Sequence, residues 1–209
     1  MIIPNIIFAV WLFLGYGYFG VVLKIVDRIV DDGCQINNKL TYFLIASCGM
    51  YAGMVMVFDQ ITAAIGLSLI IGVTLAGKLD SWQFLAITAI ELLVLVIGKN
   101  LALITYVSDI AGVIVILTVS AVIDEVIATV VKKRTGEQNH AEKKPELVIF
   151  QDFLLLRPFL KVAVLILPLI DPRFTYFHAA CVWLFDIAYE AVNHRLQLVD
   201  KKVELVVPG

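Results

Sequence analysis

Seven stretches of the sequence run on apolar side chains for roughly twenty residues, the length that crosses about 30 Å of hydrocarbon as a helix. They fall at about 4–26, 40–58, 61–77, 82–98, 101–123, 150–170 and 174–193. Runs of this length leave few folds open. In lipid every backbone N–H and C=O must be satisfied within the protein, which only helices and closed barrels achieve. A barrel strand alternates apolar and polar residues, and Ala111–Ala121 (AGVIVILTVSA) does not. The expected fold is all-α: a polytopic transmembrane bundle of about seven helices in one domain, 1–209. Composition agrees, with 61% hydrophobic residues against about 45–50% in soluble domains. The first run lacks a basic leading segment, and Tyr16, Tyr18 and Phe19 make a poor cleavage site, so it is expected to remain as the first helix.

Most connections between runs are short, as at Asp59-Gln60, Lys99-Asn100 and Asp171 to Arg173, which makes consecutive helices antiparallel. The exception is 124–149, containing KKRTGEQNHAEKKPE, expected as a polar cytoplasmic loop. With seven spans, Lys24, Arg28, Lys39, Lys78, Lys132, Lys133, Arg134, Lys143, Lys144, Arg195, Lys201 and Lys202 share one side, and Lys99 and Arg173 the other. Lys and Arg gather on the cytoplasmic side. The expected orientation therefore puts the N-terminus outside and the C-terminus in the cytoplasm of a multi-pass cell-membrane protein. Gly49 and Gly53, and Gly72 and Ala76, have the four-residue spacing of close helix contacts. Pro158 and Pro168 are expected to kink the sixth helix.

Ionisable residues inside spans are costly and mark candidate functional groups. The first helix ends in KIVDRIVDDG, where Asp27 and Asp31 share a face. Two carboxylates so placed suit Mg²⁺, a hard cation that prefers oxygen and is often shared with phosphates. Their plain alternative is ion pairing with Lys24 and Arg28. The last helix carries FDIAYEAVNHR, in which Asp186, Glu190 and His194 recur every four residues. Both groups belong to the cytoplasmic side, as do Lys78, Asp152 and Arg157. A third group is expected deeper: Glu91, Asp109 and Lys161 are placed near the bilayer midplane by counting residues from the Lys99-Asn100 turn. It reads as an intramembrane relay or ion site, or as charge-compensated structural pairing.

The paired motifs Asp27–Asp31 and Asp186–Glu190 resemble in their chemistry the Asp-rich motifs of UbiA-type intramembrane prenyltransferases. The resemblance implies Mg²⁺ on Asp27, Asp31, Asp186 and Glu190, with a prenyl diphosphate as substrate. It covers these residues alone: the leading Asn-Asp is missing, and Glu stands in the last place. Walker A, HExxH and GxSxG motifs are absent. So is the signature of CDP-alcohol phosphotransferases.

Two functions with chemistry follow as expectations, beside a structural or assembly role without any. One is a divalent-metal enzyme acting on a lipid phosphate, with Lys78, Arg157 or Lys161 as catalytic groups on phosphate oxygens. The other is a small cation- or proton-coupled transporter or channel using Glu91 and Asp109. Membrane lipids are the expected surroundings in both. The formal charge of −2 offers no basic excess for nucleic acid. Cys34, Cys48 and Cys181 form no CxxC or disulfide framework.

Overall fold

Helices form over most of the apolar runs, and the start of the sixth, 150–157, lies outside the described residues. The structure, a computed structural model, describes residues 3–31, 37–77, 81–137 and 158–206. In order these are α1 (Ile3–Asp31), α2 (Asn38–Phe58), α3 (Gln60–Leu75), α4 (Trp82–Lys99), α5 (Leu103–Ser108), α6 (Ala111–Glu137), α7 (Pro158–Ile170) and α8 (Tyr176–Val206). A turn of 3-10 helix, Asn100–Ala102, joins α4 to α5. No strand occurs among the described residues. Among the described residues four helices are long and apolar enough to cross a membrane: Ile6–Val30, Asn38–Phe58, Trp82–Lys99 and Ala111–Val131. They leave large side chains such as Ile7, Leu93, Ile97 and Val115 exposed, as a surface solvated by lipid would.

Two expectations about elements are corrected. The helix expected over 101–123 is broken, because α5 ends at Ser108 and a turn at Asp109 and Ile110 precedes α6. Asn100 opens this stretch at φ 44°, a left-handed conformation that Asn tolerates and most residues avoid. The loop expected at 124–149 is helical as far as Glu137, since nothing between Asp124 and Glu137 breaks a helix. The rest of it, 138–149, lies outside the described residues. Pro158 stands in the first turn of α7, where a missing N–H costs nothing, whereas Pro168 lies within that helix.

Two compact units share the chain. The first comprises Met1–Val55, Ser81–Val94 and Ala180–Gly209, the second Met56–Asp80 and Leu95–Ala179. In the first, α1 runs antiparallel to α2: the Tyr51 hydroxyl donates to the Trp11 carbonyl at 2.7 Å, and Tyr18 pairs with Ser47 at 2.6 Å. Gly20 of α1 admits the backbone of Phe185 in α8. Gly49 and Gly53 of α2 meet Ile87 with Ile90, then Glu91 with Val94, so α2 and α4 run parallel in close contact. Apolar side chains gain little by leaving lipid for a helix interface, so close approach at small residues holds such helices together. Val22, Val26, Ile45, Cys48 and Ile87 form the buried centre.

In the second unit α3 packs on α6, with Gly72 against Ala121. The start of α7 is held by α6. Both oxygens of Asp124 accept backbone N–H groups from α7, of Phe159 at 3.1 Å and Leu160 at 2.7 Å. These are among the donors that a helix N-terminus leaves without an internal partner. A carboxylate on another helix thus does the work of an N-cap.

Candidate functional site

Of the residues proposed for Mg²⁺, Asp27 and Glu190 have other partners. Lys24 Nζ lies 2.7 Å from Asp27 Oδ2, one helical turn away. The Tyr189 hydroxyl donates to the same oxygen at 2.7 Å, and Lys24 Nζ lies 4.9 Å from the centre of the Tyr189 ring. Asp27 is therefore neutralised within α1 and tied to α8. Glu190 is exposed and accepts from Asn193 of its own helix at 3.4 Å. Asp186 is half-buried in α8. The described part of Asp31 is its place at the end of α1, and Lys78 and Arg157 lie outside the described residues. Among the described residues no three of His, Cys, Asp and Glu are grouped so as to hold a metal ion.

Glu91 lies in α4 within the first unit, while Asp109 and Lys161 belong to the second. Asp109 is exposed in the turn after α5 and within electrostatic reach of Arg173. Its expected depth assumed an unbroken helix from Leu101, and the break at Asp109 and Ile110 removes that basis. Lys161 is half-buried near the start of α7.

Glu91 is only 5% exposed. Ile87 and Leu95, one turn before and after it, are as deeply buried, so all three occupy one inward face of α4. Gly53 lies against the Glu91 backbone, and Cys48 of α2 is within electrostatic reach. Among the described residues no group donates a hydrogen bond to its carboxyl and none forms an ion pair with it. Among the described residues the Thr118 hydroxyl, also buried, has no hydrogen-bond partner.

A second polar cluster lies in the second unit and was not foreseen. Asp59 caps α3, its Oδ2 accepting from the Thr62 N–H at 2.6 Å. His178 Nε2 stands 3.3 Å from the same oxygen. The other ring nitrogen, Nδ1, accepts from the Thr175 N–H at 3.1 Å, which needs a lone pair there and leaves the ring proton on Nε2, facing Asp59. One imidazole thus joins two helix N-termini, those of α3 and α8. Burial pushes the Asp59 carboxyl up, but hydrogen bonds from His178 and Thr62 outweigh it and leave the group below its ordinary value. Beside it the Tyr106 hydroxyl donates to the Met56 carbonyl at 2.6 Å, and Lys99 Nζ covers the Tyr106 ring at 3.9 Å.

Both features carry a local signal in the sequence. Asp59-Gln60-Ile61-Thr62 has a capping residue three positions before its recipient, and Thr175 to His178 is a capping box with His in the place of Glu. Asp124 and Glu125, buried in α6, follow an apolar run directly and read as its polar end. No family model, curated protein or solved structure matches the chain.

Proposed function

We propose that the chain is a multi-pass cell-membrane protein of about seven spans that moves a proton or small cation, with Glu91 as the group that takes it up. The N-terminus lies outside and the C-terminus in the cytoplasm. The observation that carries this reading is an acid only 5% exposed in an apolar helix, with no ion pair to it among the described residues. An ionised side chain in the hydrocarbon costs several kcal/mol by the lower estimates, so it is retained where it serves a path for protons or ions. A structural acid would have a partner, as Asp27 has Lys24 and Tyr189, and as Asp124 has the start of α7. The metal-enzyme reading has less support, because Asp27 is already engaged.

The test is flux in liposomes. Purified protein is reconstituted, a gradient of H⁺, Na⁺ or K⁺ is imposed, and the decay is followed with an ion-sensitive dye. The parent should dissipate at least one gradient faster than empty liposomes. Glu91→Gln, which keeps shape and removes the charge, should lose that excess while melting at a similar temperature. Equal flux from parent and variant, or none from the parent with any of the three ions, sinks the reading.

A further inference from the structure

We infer that His178 is an acid-sensitive latch on the start of α8: a second ring proton expels the Thr175 N–H, and the first turn of the helix opens. The inference stands apart from the transport reading. Its ground is a crowded nitrogen. Nε2 of the ring faces Asp59 Oδ2 at 3.3 Å. Nδ1 has two neighbours, both from Thr175: the backbone N–H at 3.1 Å and the hydroxyl oxygen at 2.9 Å. A backbone N–H can only donate, and a doubly protonated imidazole has no lone pair left to accept. The contact at 3.1 Å therefore exists only while Nδ1 is bare. The hydroxyl can take either part, donating to bare Nδ1 or accepting from protonated Nδ1.

The surroundings decide which group yields. Asp59, at the start of α3, faces the ring and supplies the counter-charge an imidazolium needs. It is itself fixed by the Thr62 N–H at 2.6 Å. Tyr106 of α5 is within electrostatic reach of Asp59, and the Lys99 ammonium at the end of α4 covers the Tyr106 ring. In the turn before α8, Asp171 and Arg173 are paired with each other at 2.7 Å. The rings of Phe174 and Phe177 lie with their centres 5.5 and 6.0 Å from that of the imidazole. The imidazole is thus buried between Asp59 and two aromatic rings, whereas Thr175 is exposed. On protonation the hydroxyl reverses, the Asp59 contact becomes a full ion pair, and the Thr175 amide has to turn away. The Thr175 carbonyl accepts from the His178 N–H at 3.0 Å and the Ala179 N–H at 3.5 Å, so the residue that must turn also anchors the first turn. Acid thereby loosens the start of α8 while its link to α3 tightens.

Two measurements on the purified protein in detergent test this. The first is amide hydrogen exchange at Thr175, resolved by fragmentation mass spectrometry and corrected for the intrinsic effect of pH on exchange. Protection in the parent should fall about fivefold, the factor that one hydrogen bond of ordinary net strength represents, between about pH 8 and about pH 5, the span over which histidine changes charge. In His178→Gln it should stay constant, because a Gln three residues after the cap accepts the cap N–H at any pH. The second is the ¹⁵N spectrum of histidine-labelled parent, in which the His178 signals are those missing from His178→Gln. Nδ1 should carry no proton at the upper pH and gain one toward the lower, with the same midpoint as the loss of protection. Protection that ignores pH in the parent, or an equal fall in His178→Gln, overturns the inference. So does an Nδ1 that is already protonated at the upper pH, stays bare throughout, or titrates with a midpoint apart from that of exchange.

Discussion

At the scale of single residues, partners decide what a charge does. Asp27 and Glu91 are both acids in apolar helices, yet one is held by Lys24 and Tyr189 and the other has no ion pair among the described residues. Asp59 is the case that pH can test. Its carboxyl is lowered on folding by His178 and Thr62 against the effect of burial. A group lowered in the folded state stabilises fully above its ordinary value, about 4, and loses that contribution as pH falls through the lowered value. At pH 7, Asp59→Asn should therefore cost about 1.5–3 kcal/mol, the range for hydrogen bonds to a charged group. At pH 3 the gap to the parent should narrow. Melting curves in detergent at the two pH values check this, and a gap that stays constant contradicts the account.

Elements are joined here by backbone groups and small residues. Asp124 holds the start of α7 through two N–H groups on a helix it does not belong to. Asp124→Ala strands both donors and should cost about 2–4 kcal/mol, more than the roughly 1 kcal/mol of an ordinary cap. Asp124→Asn keeps one acceptor and should lose about half as much. Chemical denaturation of both variants measures the ratio, and equal losses would show that bulk alone matters. Glycines give a paired prediction. Gly53→Ala puts a methyl group into the α2–α4 contact and should lower the melting temperature. Gly112, early in α6, has nothing within 4 Å of an added Cβ, so Gly112→Ala should stabilise by about 0.5–1 kcal/mol. If the two substitutions have the same sign, close packing at Gly53 is not what holds these helices.

For the molecule as a whole, the proposed orientation rests on Lys and Arg gathering on the cytoplasmic side. Arg173 stands between α7 and α8, and Arg195 far along α8, both exposed. In a protein whose three native cysteines are replaced by Ala, Arg173→Cys should react with an impermeant maleimide added outside intact cells. Arg195→Cys should react only after the cells are opened. Reaction of both from one side would mean that α8 does not cross between them.

Hydropathy and length are sums over neighbouring residues, so the sequence alone determined that this chain forms long apolar helices and where most of them begin. The short junctions at Asp59, at Lys99-Asn100 and at Asp171 were legible for the same reason, as was the Lys24–Asp27 pair, whose members share one helical turn. The break at Asp109 and the run of α6 to Glu137 were not, because neither is marked by proline or by a change in periodicity. The candidate site was legible only as a name, Glu91. Its burial, the engagement of Asp27 by a tyrosine 162 residues away and the bridging of Asp59 to His178 were decided by tertiary structure. These depend on how each helix is rotated and how closely it approaches the next. Rotation and approach are set by packing between residues far apart in the chain, at Gly20, Gly49 and Gly53 above all.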